Sequence, residues 1–229
     1  MGYTLDGSSH GMRLTGAPNV LGGFSWSLRI RPHSATPASD QWIFGEQSAT
    51  GANNFGIWLT TAGKIWFYKY TTLDADAGAI SSGTVNANAW NHIYWSYNTY
   101  DSGNEYQVSL NGETMQLGNF TVSGATILTR LGSRTTGGAG RADYFDGDVA
   151  ELAIWNDVID QVGTGAWASL AHGYSPLRVD RQYLIHYWPF RKGERDEVGG
   201  RTMTLEGGLA LGDQHPPMFP ASKKRGFLL

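Results

Sequence analysis

With 229 residues, 41% of them hydrophobic and 16% charged, the chain has the composition of a folded domain and excludes a disordered one. A formal net charge of -3 gives non-specific nucleic-acid binding no global electrostatic support. The absence of cysteine excludes a disulfide framework and any thiolate metal site. No apolar run reaches the ~18 residues of a membrane-spanning helix. Met1–Asp6 lacks the basic and apolar regions of a signal peptide, so the expectation is a protein made in the cytoplasm.

The elements follow in chain order. Phe24-Ser-Trp-Ser-Leu-Arg-Ile-Arg31 alternates, with Phe24, Trp26, Leu28 and Ile30 on one face, and Pro32 ends it. Residues 41–45 and 54–60 read as the next two strands. Ala62-Gly63 turns the chain into Lys64-Ile-Trp-Phe-Tyr-Lys-Tyr70, and a polar stretch runs from Thr71 to Asn88. Residues 90–97 alternate again. Asn111-Gly112 then joins strands 105–110 and 113–117; both residues tolerate the positive φ angles of a type I′ hairpin turn. A short strand at 128–131, a glycine-rich loop at 132–141 and a strand region at 144–155 follow.

One helix is convincing: Thr164 caps it, 166–171 fill it, and Gly173 and Pro176 stop it. Residues 184–189 and 202–206 read as two further strands. From Asp213 the periodicity vanishes, leaving a proline-stiffened arm over 213–229. About a dozen short strands with no βαβ rhythm predict two packed antiparallel sheets.

Four of these segments, in this order, carry a likeness. Phe24–Pro32, Trp90–Tyr97, Val108-Ser-Leu-Asn-Gly112 and Phe145-Asp-Gly-Asp-Val-Ala-Glu-Leu-Ala-Ile-Trp-Asn156 resemble signature stretches of the laminin-G-like/concanavalin A-like lectin-glucanase superfamily. The resemblance implies an all-β, two-sheet antiparallel jelly-roll sandwich over 1–178, with one short helix. Tyr187-Trp-Pro-Phe190, Asp196, Gly199 and Met203-Thr-Leu205 resemble a piece that opens many members but stands last here. It implies that 179–212 are permuted closing strands of the same sandwich, with 213–229 as an extended C-terminal arm.

Five features of the sequence bear on chemistry. Superfamily glucanases need paired carboxylates on one strand. Asp146 and Asp148 share a face, and Glu151 joins them only if a bulge intervenes. The surrounding pattern of a glucanase is missing, so no catalytic residues and no enzyme activity are expected. The family's calcium ligands suggest loop oxygens at Asp74, Asp76, Asp143, Asp146 and Asp148, but Ala150-Glu151 stands where an Asp-Glu pair would be; no cofactor is expected, with calcium kept open. The six histidines have no metal-ligand spacing, and His92 and His186 read as packed strand residues. Gly137-Gly-Ala-Gly-Arg141 precedes a strand, which excludes a phosphate loop. In residues 64–70, Trp66, Tyr68 and Tyr70 share one face and Ile65 and Phe67 the other. If the latter face the core, an aromatic stripe stays outside to stack on sugar or bury against a subunit. Trp42, Trp66, Tyr68 and Tyr70 are therefore the candidate ligand-binding residues.

The arm has no core of its own, so Phe219, Lys223, Lys224, Arg225, Phe227, Leu228 and Leu229 are the candidate partner-binding residues. Permuted chains with a terminal element like His215-Pro-Pro217 resemble tailed-phage proteins. The first expectation is a non-enzymatic virion structural protein, made in the host cytoplasm. It would be a capsid decoration or other exterior component that forms a homo-oligomer and contacts other capsid subunits. The alternative is a lectin-like, carbohydrate-binding module for adhesion. Neither reading calls for a membrane or a specific nucleic acid.

Overall fold

The computed structural model describes residues 2–14, 19–20, 23–46, 54–70, 78–98, 106–118, 126–127, 130–135, 141–159, 165–191, 193–212 and 214–218. In chain order its strands are β1 (Tyr3–Asp6), β2 (Gly11–Leu14), β3 (Asn19–Val20), β4 (Phe24–Pro32), β5 (Gln41–Glu46), β6 (Asn54–Leu59), β7 (Ile65–Tyr70), β8 (Gly78–Ile80), β9 (Asn91–Tyr97) and β10 (Tyr106–Leu110). They continue with β11 (Gln116–Gly118), β12 (Thr126–Ile127), β13 (Arg130–Leu131), β14 (Arg134–Thr135), β15 (Arg141–Ala142), β16 (Asp146–Trp155), β17 (Leu184–Trp188), β18 (Met203–Glu206) and β19 (Ala210–Leu211). One α-helix, α1 (Ala166–Ala171), precedes a 3-10 turn at Pro176–Arg178.

The first sheet runs β11-β10-β9-β4-β16-β1-β19. β17 pairs with the second half of β16, on the same edge that β1 uses in the first half. The second sheet runs β18-β2-β13-β5-β6-β7-β8. All their strand pairings are antiparallel, which makes the expected two-sheet sandwich. Residues 184–211 enter both sheets: β17 and β19 join the first, and β18 joins the second.

Alternation explains the core. Trp26, Leu28, Ile93, Trp95, Val149 and Ile154 point inward from the first sheet and meet Met12, Phe44, Ile57, Leu59, Ile65 and Phe67 from the second. Trp26 stacks on Trp95 at 5.7 Å and lies 4.9 Å from Phe44. The Asn111-Gly112 turn has φ values of 53° and 81°, as the type I′ expectation required.

The structure departs from the sequence reading in three respects. β1, β2, β3, β8, β12 and β19 are strands the alternation did not single out, because each is short and lies beside loops. The glycine-rich stretch is pinched by the β14–β15 pair, which is too short to leave a periodicity. The helix N-cap is Gly165 in the left-handed region, with no side-chain cap bond; Thr164 lies outside the described residues.

The far end of α1 is capped from the first sheet. Arg29 donates to the carbonyls of Leu170 and Ala171 at 2.6 and 3.2 Å, placing a cation on the negative end of the helix. The polar face of β4 is therefore buried. Ser25 bonds Tyr94, and Ser27 bonds His92, beneath the helix and its second apolar cluster of Trp155, Leu170 and Tyr187.

Candidate binding face and buried carboxylates

The outer face of the second sheet carries the aromatic row. Ile57, Leu59, Ile65 and Phe67 are buried in the core, so Trp58 and Trp66 point the other way. Strand register places Trp42 opposite Trp58, Trp58 opposite Trp66, and Trp66 opposite Ile80. Trp58 and Trp66 are half-buried, and Ile80 is exposed. Trp42 meets Trp58 edge-on at 4.9 Å. Trp42 itself is only 2% exposed, and its ring occupies the space a side chain at Gly56 would take. It supports Trp58 and offers no open face, which corrects its place among the ligand-contacting residues. Tyr68 and Tyr70 lie in β7, but their side chains fall outside the described residues.

Polar groups border this row. The Arg134 guanidinium lies 5.7 Å from the Trp58 ring centroid and is paired with Asp143. Arg141 lies 5.6 Å from the ring centroid of Tyr144, whose backbone bridges to Trp42. Trp58, Arg134 and Arg141 were absent from the sequence-derived site. Trp58 had a signal: the tight turn before Lys64 pairs it with Trp66. The arginines had none, because they arrive from distant strands.

The expected carboxylates lie at other places. The sequence-derived bulge exists: the β16–β4 register shifts between Ala150 and Ala153, and Glu151 has φ 56°. It turns Glu151 outward at the junction of β1 and β17. Tyr187 donates to Glu151, Arg191 donates through Nη2 and Nε at 2.9 and 3.2 Å, and His215 Nε2 lies 2.8 Å away. Burial pushes the Glu151 carboxyl up. The His215, Tyr187 and Arg191 contacts outweigh it and hold the carboxyl below its ordinary value. Asp148 takes Arg31 at 2.5 Å and Thr4 at 2.5 Å, and Asp146 meets His33 at 2.7 Å. Asp148 and Glu151 side chains are 3% and 2% exposed, and both are engaged in ion pairs.

Among the described residues no three His, Asp or Glu side chains gather as metal ligands. Asp143, Asp146 and Asp148, kept open for calcium, sit in separate ion pairs, and Asp74 and Asp76 lie outside the described residues. His186 is paired with Asp196 at 2.5 Å and stacks on Trp188. His92 is buried against Ser27. An open cleft of about 860 Å³ lies between Pro189, Arg191, Arg195 and Val198, on the Glu151 side.

The arm begins on its own sandwich. Arg31 donates to Gln214, and His215 reaches Glu151 and the Pro189 carbonyl. Residues 214–218 thus find part of their partners within their own chain. The candidate partner residues Phe219, Lys223, Lys224, Arg225, Phe227, Leu228 and Leu229 lie outside the described residues.

A family model described as Laminin_G_3, concanavalin A-like lectin/glucanases superfamily, matches residues 6–162. No curated protein matches the chain. Solved structures do match. A native heptameric SAP-like pentraxin from Limulus polyphemus shares 12% identity at TM-score 0.64, covering 92% of this chain and 94% of that one. A putative carbohydrate binding protein from Bacteroides ovatus shares 15% at TM-score 0.62; the match covers 93% of this chain and 60% of that one. The CBM40 of a Ruminococcus gnavus IT-sialidase, bound to α2,3-sialyllactose, shares 15% at TM-score 0.57, covering 74% and 95%. At these identities the likenesses establish the fold.

Proposed function

The chain belongs to the Laminin_G_3 family of the concanavalin A-like lectin/glucanases superfamily, and from that membership we propose that it binds carbohydrate without catalysis, through the outer face of its second sheet. The observation that carries the reading is the in-register pair Trp58–Trp66, half-buried and turned away from the core. An indole offers a pyranose ring an apolar face for stacking, and the flanking Arg134, Asp143 and Tyr144 supply polar groups for its hydroxyls. Two fold neighbours support the reading by their descriptions: one is a carbohydrate binding protein and the other a module bound to a sialylated sugar.

The non-catalytic half of the proposal rests on the β16 carboxylates. A retaining glycosidase needs two carboxyl groups ~5–5.5 Å apart flanking the scissile bond. Asp148 and Glu151 instead spend their oxygens on Arg31, Thr4, Tyr187 and Arg191.

A glycan array followed by calorimetry on the best binder tests the proposal. Replacing Trp66 by Ala removes about 1–2 kcal/mol of stacking, which weakens binding roughly 5–30-fold. The Trp58→Ala/Trp66→Ala double variant abolishes it while circular dichroism stays unchanged. A folded double variant that binds as well as the parent would overturn the assignment of this face.

A further inference from the structure

The tryptophan row ends beside a concentration of arginines. Alternation puts Arg13 and Arg130 on the outer face, because Met12, Leu14 and Leu131 are in the core. The register then lays out one transverse line: Thr204, Arg13, Arg130, Gly45, Gly56 and Tyr68, on β18, β2, β13, β5, β6 and β7. This line runs beside the row of Trp42, Trp58 and Trp66. Arg134 joins the two, since its guanidinium lies over Trp58.

Charge on this face runs against that of the whole chain. Among the described residues, Glu206 and Asp143 pair with three of the arginines Arg13, Arg130, Arg134 and Arg141. Arg130 and Arg141 share one carboxylate oxygen of Glu206, at 2.6 and 3.2 Å, and Arg134 takes Asp143. Arg13 is exposed, with no side-chain partner among the described residues. Four arginines thus stand beside two carboxylates among the described residues, in a chain whose net charge is -3. Gly45 keeps its position in the line low and has φ 145°, a conformation side chains disfavour, while the Trp42 ring fills the space over Gly56. From Arg13 to Trp66 is four strand spacings, about 19 Å, which suits an oligosaccharide of several units.

We propose that the glycan bound by this face is acidic, with its carboxylate or sulfate groups received by the arginine cluster and its rings by the tryptophan row. The inference rests on the carbohydrate reading above and adds the ligand's charge. Guanidinium groups suit both anions, because each presents paired oxygens to the fork of N–H donors. Among the described residues, sharing of Glu206 leaves donors on Arg130 and Arg141 available, so an arriving anion adds hydrogen bonds without breaking the existing pairs.

Calorimetry on the full chain at 50 and 300 mM NaCl, with four tetrasaccharides, tests it. The probes are hyaluronan and oligogalacturonate for carboxylate, heparin for sulfate, and cellotetraose as the neutral control. At least one acidic probe binds about tenfold or more tighter than cellotetraose and weakens at the higher salt. Which acidic probe binds identifies the anion. Arg13→Glu weakens the acidic probe about tenfold and leaves folding intact, since Arg13 is exposed and has no side-chain partner among the described residues. If neutral and acidic probes bind equally, with both lost on Trp58→Ala/Trp66→Ala, the acidic inference falls and the carbohydrate reading stands. If no tetrasaccharide binds, or a single-stranded oligonucleotide binds tighter than all four, both fall.

Discussion

Glu151 is a buried carboxylate with a basic group on two sides and a phenol on a third, held where the strand bulges. Truncating it removes one of the two side-chain partners of the buried Tyr187 hydroxyl, Ser175 being the other, and the charged partner of His215. Arg191 is 46% exposed on its side chain, so it recovers water, and the loss falls below that of a fully buried pair. Glu151→Ala lowers stability by about 2–3 kcal/mol, and Glu151→Gln by less, measured by urea denaturation at pH 7. The pH dependence has two parts. His92 is buried and held well below its ordinary value by burial first and by the Arg29 charge second. Folding keeps it neutral, so its contribution is present above about pH 6.5 and is lost as pH falls below that, when the unfolded chain binds the extra proton. Glu151 and Asp196 are also depressed, so their contribution is complete above about pH 4 and declines below it. The unfolding free energy should fall below pH 6.5 at up to about 1.4 kcal/mol per unit, then more steeply below pH 4. A curve flat from pH 7 to 5 would contradict the placement of His92.

At the scale of the element, the connection after β17 shows how a short motif closes an edge. Asp196 accepts the backbone N–H groups of Tyr187 and Val198 at 2.8 Å while its other oxygen holds His186. Gly199 sits so close that a Cβ there would meet Asp196 Oδ2 at 2.6 Å and press on the His186 ring. Gly199→Ala therefore separates the His186–Asp196 pair and costs about 2–3 kcal/mol, read as a lowered thermal midpoint. The family resemblance singled out Asp196 and Gly199, and these contacts give both a structural role. Strands with one apolar face were legible in the same way: β4, β7, β9, β10 and most of β16 fall where alternation places them. The burial of β4's polar face was not, since it depends on α1 folding back over Ser25, Ser27 and Arg29. The candidate site was half legible. Trp66 follows from the sidedness of one strand, whereas Arg13, Arg130 and Arg134 converge only through the register of β2, β13 and the β14–β15 pair.

Across the molecule the two outer faces are used differently. The first sheet is covered by α1, the 3-10 turn and the segment around Gln214 and His215, which satisfy its buried Arg29, Asp148 and Glu151 directly or through Arg31. The second sheet keeps half-buried Trp58 and Trp66 and the arginine cluster on its outer side. The terminal segment thus has a structural task on the face opposite the proposed glycan site. Its first anchor is the Gly212 N–H, which donates to the Gly2 carbonyl at 2.6 Å, and its last described side-chain bonds are those of His215. Two truncations isolate this task. A chain ending at residue 218 retains these bonds, whereas one ending at 211 loses them and leaves Glu151 without His215. The shorter chain should melt about 4–8 °C below the longer one, from roughly 2 kcal/mol spread over a domain of this size. Both should keep the same glycan affinity, because neither cut touches the second sheet. Equal melting temperatures would mean that 212–218 rests on the sandwich without stabilising it.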